Sequence, residues 1–356
     1  MDSLTRMEET IRQIHPPQDV FRRRCQAHWD SLCKPIHGLG ALEDMVSQIG
    51  AIQQTEQPDI SRAVVVIMGA DNGVVAEGVS QCGSEVTAQV LRNMAEGDST
   101  VCQMARFRRT EVVAVDIGLN EPVNSPGVLN RVVRRGSGDI RTGPAMSRQE
   151  AIQAIGEGIR IVHELKAQGC QILIPGEMGI GNTTTSAACV CAYFDKEPEK
   201  IAGPGAGLTK EGVRHKAEVI RDALRVNRPD RGDVLDVLSK VGGLDIAGMT
   251  GLFLGSAAEG IPAIIDGLIA ALSAYIAVRL AGPVRDYLIP GHLGTEPGDR
   301  ILMEALGLAP PLRLGMHLGE GSGAALLLPL LDEALYVYRN LPHFGKCGIE
   351  AYKPLC

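Results

Sequence analysis

Metal chemistry finds little support in this sequence. Its eight histidines include no H-x-x-x-H pair. Its nine cysteines, Cys25, Cys33, Cys82, Cys102, Cys170, Cys189, Cys191, Cys347 and Cys356, form no C-x-x-C pair. Zinc sites cluster nitrogen and sulfur donors at such spacings, so no metal is expected. A disulfide framework is missing as well, and reduced thiols in a cytoplasmic protein are the simplest account. Aromatic residues are scarce, with one Trp, six Tyr and five Phe, and the net charge is -7. Basic residues occur only in short groups such as Arg22-Arg23-Arg24 and Arg134-Arg135. A nucleic-acid partner would have neither a stacking platform nor a cationic track, and is not expected.

Other classes are excluded by missing patterns. The N-terminus lacks the basic start and apolar run of a signal peptide. Ile261 to Leu280, the most apolar stretch, is broken by Pro262, Asp266 and Arg279, so it divides into a strand and a helix and does not span a membrane. Ser322 lacks the G-x-S-x-G frame of a nucleophile elbow. The glycines after Pro175 read G-x-x-G-x-G, not the G-x-G-x-x-G of dinucleotide enzymes.

The remaining pattern is an α/β one. Short apolar runs at Ala63 to Met68, Glu111 to Ile117, Gln171 to Pro175 and Pro262 to Ile265 alternate with helical segments. Such alternation predicts a Rossmann-like parallel sheet with crossover helices, with ligands at the carboxyl ends of the strands. Residues 1–50, together with 330–356, are expected to form a small helical domain beside a catalytic domain at 51–329.

Two glycine motifs carry the chemistry. In Gly176-Glu177-Met178-Gly179-Ile180-Gly181-Asn182-Thr183-Thr184 a strand runs through a flexible loop into a helix start, where unpaired N–H groups and the helix dipole attract anions. Asn182 stands where a P-loop has lysine, and Glu177 adds negative charge, so a single phosphate fits better than a magnesium triphosphate. In Leu318-Gly319-Glu320-Gly321-Ser322-Gly323 a carboxylate flanked by glycines can approach a ligand closely. Partial desolvation would make Glu320 a useful general base; alternatively it complements the dipole of the helix that follows. Gly205, in a third glycine-rich stretch, suits close backbone approach to a ribose or flat ring, and Lys216 follows on a helix within reach of a phosphate.

Together with the segment Val237 to Gly251, these motifs resemble the nicotinate-nucleotide:dimethylbenzimidazole phosphoribosyltransferase family over about Lys34 to Leu328. The resemblance implies transfer of 5-phosphoribose from nicotinate mononucleotide to the lower-ligand base of a cobamide, releasing nicotinate, with no cofactor. It makes Glu320 the catalytic base and Glu177 a second acid of the same pocket. Gly176, Gly179, Gly181, Asn182, Thr183, Thr184, Gly205 and Lys216 would hold the donor, and Met178 and Leu318 would flank the base. It also implies a dimer, either of identical chains or with a homologous subunit. Cys82 and Val90 align with a serine and a glutamine that contact dimethylbenzimidazole in the family, which leaves dimethylbenzimidazole and a phenolic base such as phenol or p-cresol as acceptors. A catalytically weak subunit supporting a partner's site is the alternative function.

Overall fold

A computed structural model describes residues 2–123 and 125–352; Cys356 and the end of the expected 330–356 segment lie outside the described residues. Six strands form the sheet: β1 (Ala63–Ala70), β2 (Glu111–Gly118), β3 (Val128–Asn130), β4 (Ile172–Met178), β5 (Ala263–Ile265) and β6 (Leu288–Pro290). Every pairing is parallel, in the order β3-β2-β1-β4-β5-β6. The four apolar runs of the sequence are β1, β2, β4 and β5. The other two strands, β3 and β6, have three residues each, too few to display a period.

Helices α1 (Ser3–Gln13), α2 (Asp19–Ser31) and α3 (Ala41–Gln53) precede the sheet, and α4 (Glu85–Glu96) with α5 (Thr100–Arg108) joins β1 to β2. The long α6 (Arg148–Ala167), opened by a Ser147–Glu150 capping box, leads into β4. Between β4 and β5 lie α7 (Asn182–Phe194), α8 (Pro198–Ile201), α9 (Lys210–Asn227), α10 (Val234–Val241) and α11 (Leu244–Ala258). Then come α12 (Leu268–Leu280), α13 (Pro297–Leu306), α14 (Ser322–Asn340) and α15 (Phe344–Cys347).

Side chains alternate across a strand, and β1 shows what each face buries. Val64, Val66, Met68 and Ala70 enter one core with residues of α6, α7, α11 and α12. Ala63, Val65 and Ile67 enter the other with Trp29, Ile49, Leu327 and Leu331. A sheet covered on both faces explains why its strands read as continuous apolar runs.

The chain ends do meet, but not as two intact blocks. Trp29 of α2 packs edge-on against Tyr338 of α14, with ring centroids 4.9 Å apart, and the Tyr338 hydroxyl donates to the Glu56 carbonyl. In contrast, Met7 and Ile14, in and just after α1, join the core on the other face of the sheet. The expected boundary at 329/330 falls inside α14, which begins at Ser322 and passes through Pro329. Proline costs a helix one backbone hydrogen bond. Here the burial of Leu327, Leu328 and Leu331 around it outweighs that loss.

Candidate active site

The sheet order reverses direction between β1 and β4, the position where open α/β sheets form their crevice. A cavity of about 240 Å³ lies beside it, lined by residues 176–183 from the end of β4 to the start of α7, Gly205, Asp266, His292, Glu296 and Leu318 to Glu320, with Ser80, Gln81 and Val90 also on its wall.

The two acidic motifs interlock. Gly176 has Glu320 against it: a Cβ at Gly176 would stand 2.8 Å from the Glu320 carbonyl oxygen. In return the Glu320 N–H donates to Glu177 Oε1 at 3.3 Å. Gly319, Glu320 and Gly321 have φ of 84°, 63° and 78°, so a left-handed run presents the glutamate. Glu320 does not serve the dipole of its own helix. Its Oε2 accepts from the Val101 N–H in the first turn of α5 at 3.3 Å. Asp266, at the end of β5, takes the start of α14 instead, accepting from the N–H groups of Gly321 at 3.2 Å and Ala324 at 3.0 Å. Burial raises the Glu320 pKa, opposed by the Val101 hydrogen bond and assisted by the Asp266 charge.

Glu177 occupies a harsher environment. Burial, with the charges of Asp245 and Asp266, pushes its carboxyl up to about 8, against the hydrogen bond from Asn182. The Asn182 amide nitrogen donates to Glu177 Oε2 and, at 3.0 Å, to Asp245 Oδ2. Asn182 is therefore a bridge between two acids, in addition to being a residue of the wall.

At the other candidate end, Lys216 is fully buried, and its Nζ donates to Thr183 Oγ1 at 2.9 Å and to the Gly203 carbonyl at 3.2 Å. Burial lowers its pKa to about 8, although the Glu296 charge opposes this. Thr183, accepting from Lys216, keeps a hydroxyl proton to donate onward. The Gly205 N–H is already taken by Glu296 Oε1 at 2.8 Å, so that glycine offers space and not a donor.

Three expected site residues stand off the wall: Lys216, which reaches it only through Thr183, and Thr184 and Cys82. Thr184 is fully buried, and its hydroxyl has no hydrogen-bond partner, because one residue along a helix turns the side chain about 100° away from Thr183. Cys82 lies behind Ser80, whose Oγ is 3.7 Å from the Cys82 Sγ and accepts from the Cys82 N–H at 3.4 Å. Ser80, and not Cys82, is on the wall. Met178, Val90, Leu318, Gly179 and Gly181 line the cavity. His292, Glu296 and Asp245 escape a reading of local motifs, since each meets its partners across long sequence separations. Among the described residues no group of three or more His, Cys, Asp or Glu side chains could hold a metal ion.

The phosphoribosyltransferase family model matches residues 14–349. A nicotinate-nucleotide–dimethylbenzimidazole phosphoribosyltransferase of Ruminiclostridium cellulolyticum is 44% identical over 348 residues, covering 98% of this chain and 99% of that protein. One of the same name from Acetivibrio thermocellus is 45% identical over 338 residues, covering 95% of each. The chain belongs to the nicotinate-nucleotide:dimethylbenzimidazole phosphoribosyltransferase family. The crystal structure of CobT from Thermus thermophilus superposes with a TM-score of 0.88 at 36% identity, covering 94% of this chain and 100% of that one. The α/β architecture is thus the one this phosphoribosyltransferase family uses, and the chain is an enzyme of that class. No helix among the described residues is long and apolar enough to cross a membrane.

Proposed function

We propose that this cavity transfers the 5-phosphoribosyl group of nicotinate mononucleotide to 5,6-dimethylbenzimidazole, yielding the α-ribotide of a cobamide lower ligand and free nicotinate. One observation carries the reading: a single cavity has on its wall a buried glutamate held by a helix N-terminus and, apart from it, a threonine hydroxyl backed by the buried Lys216 ammonium. Thr183 and Lys216 suit the phosphate. The Thr183 hydroxyl is free to donate, and Lys216 supplies the charge behind it.

The donor's pyridinium is a good leaving group, so no general acid is required. One benzimidazole nitrogen attacks the anomeric carbon as the bond to the pyridinium breaks, and the departing electron pair neutralises that ring. The proton on the second benzimidazole nitrogen becomes acidic as positive charge develops there, and Glu320 takes it. Ser80 and Gln81 offer polar groups to a benzimidazole, and relatives at 44% and 45% identity carry dimethylbenzimidazole in their names.

Val90 favours a second acceptor class. It is an apolar wall residue, and a phenolic ring needs only one hydroxyl partner, which Glu320 supplies. The test incubates the purified chain alone with nicotinate mononucleotide and either dimethylbenzimidazole or phenol, and follows nicotinate release. Preference for dimethylbenzimidazole supports the main reading, and preference for phenol replaces it. Turnover by one kind of chain, sedimenting as a pair, supports a homodimer. Activity only after addition of a homologous subunit supports the heterodimer and the weak-subunit alternative.

A further inference from the structure

Asp245 is fully buried at the start of α11 and does not line the cavity. Its position is nevertheless closely specified. A Cβ at Gly179 would stand 2.6 Å from Asp245 Oδ2 and 2.7 Å from the Ala70 carbonyl oxygen, so the catalytic-loop backbone is pressed against the carboxylate. Its nearest polar neighbour toward the cavity is Asn182, whose two amide protons reach Asp245 and Glu177, 63 and 5 residues away in sequence. The groups that face Glu177 are Asn182 of α7, Asp245 of α11, Asp266 at the end of β5 and the Glu320 N–H; those that face Asp245 are Asn182, Asn72 and its own helix N-terminus. None of these is a cation.

We propose that Asp245 is a positioning residue for the transfer reaction: its charge, fixed beside Glu177 by the shared Asn182 amide, keeps Glu177 protonated so that it offers an O–H to the donor's ribose. The proposal rests on the reading of nicotinate mononucleotide as donor. Both Glu177 oxygens already accept protein N–H groups, so the neutral acid has one O–H left to give, and the residue lies on the cavity wall. A donor phosphate entering a cavity lined by Glu177, Asp266, Glu296 and Glu320 also meets less repulsion when one of these is neutral. The same proton leaves Glu320, a wall residue beside it, as the carboxylate free to act as base. Burial agrees with this assignment of the two acids: it pushes Asp245 up to about 6, and burial together with the Asp245 charge pushes Glu177 further, to about 8.

Two measurements test this. In the wild-type protein, with glutamate carboxyl carbons labelled, one resonance should titrate near or above neutrality and disappear in Glu177→Gln; a Glu177 signal titrating at the ordinary value overturns the proposal without need of any Asp245 variant. The alkaline limb of the pH profile for kcat/KM of the donor should move to lower pH by about one unit in Asp245→Asn, because removing a neighbouring negative charge makes Glu177 easier to ionise. Lys216, also at about 8, contributes to that limb, so the shift is diagnostic and the limb itself is not. In a Glu177→Gln background the same Asp245→Asn change should move nothing. A limb that stays put in Asp245→Asn, or that moves equally in both backgrounds, overturns the proposal. Failure of the wild-type chain to release nicotinate would instead defeat the donor reading, and the carboxyl titration would still report on Glu177.

Discussion

Glu177 and Glu320 are joined by a hydrogen bond, line the same cavity and are both glutamates, yet their surroundings differ, and the proposed reading gives them opposite proton duties. Glu177 sits at the end of β4, where burial and the charges of two aspartates push it up to about 8. Glu320 sits on a left-handed loop with its carboxylate against the N-terminus of α5, a hydrogen bond that stabilises the ionised form. Burial raises both carboxyls, and on the proposed reading it is the difference in their neighbours, not residue type, that would separate acid from base. The comparison breaks first at Glu320. Glu320→Gln should keep donor binding, measured by calorimetry, while kcat falls at least ~100-fold, the scale of general-base removal. Near-normal turnover would show that Glu320 does not take the acceptor's proton.

The interlock between the two loops offers the next test. Gly319 has φ of 84°, and a Cβ there would run into Glu177 Oε1. Gly319→Ala therefore strains the loop and disturbs the partner acid together. It should cost about 1–3 kcal/mol of stability in denaturant unfolding, with a fall in kcat at temperatures where the fold persists. Full stability and activity would mean the loop relaxes without either glutamate noticing.

Two adjacent threonines sharpen the same lesson. Thr183 accepts from Lys216 on the cavity wall, whereas the Thr184 hydroxyl is buried without a partner. Thr183→Val should raise the donor KM by roughly tenfold or more, because a charge-assisted hydrogen bond contributes about 1.5–3 kcal/mol. The acceptor KM should change less. Thr184→Val should leave both constants near wild type and hold or raise the melting temperature, since an unpaired buried hydroxyl replaced by a methyl loses no bond. Equal kinetic effects of the two substitutions would remove the phosphate role from Thr183.

What could be read from the residues follows the range of the interactions. That Glu320, flanked by glycines, and Glu177, which follows Gly176 at the end of β4, would stand on one cavity wall was legible because a glycine beside an isolated acid is a local signal. The buried strands β1, β2, β4 and β5 were legible because burial on both faces writes a continuous apolar run. Asp245, which meets Asn182 across 63 residues, and Asp266, which meets Ala324 across 58, carry no local mark of those partners. The threonine pair shows the intermediate case. The motif marked a hydroxyl-rich helix start, but only the helix rotation distinguishes the hydroxyl that faces the cavity from the one that does not.

The acceptor wall repeats that intermediate case and yields the smallest expected effect. Val90 lines the cavity, while Cys82 stands behind Ser80. Val90→Gln should raise the kcat/KM ratio of dimethylbenzimidazole over phenol, since an amide on the wall finds a benzimidazole nitrogen but faces the apolar edge of a phenol unpaired. A mismatch of about 1–3 kcal/mol corresponds to a roughly five- to hundredfold change in that ratio. Cys82→Ser should leave the ratio where it is, because the added hydroxyl would meet Ser80 and not the ligand. If Cys82→Ser moves the ratio and Val90→Gln does not, the acceptor lies deeper behind Ser80 than the cavity wall allows, and the phenolic reading loses its support from Val90.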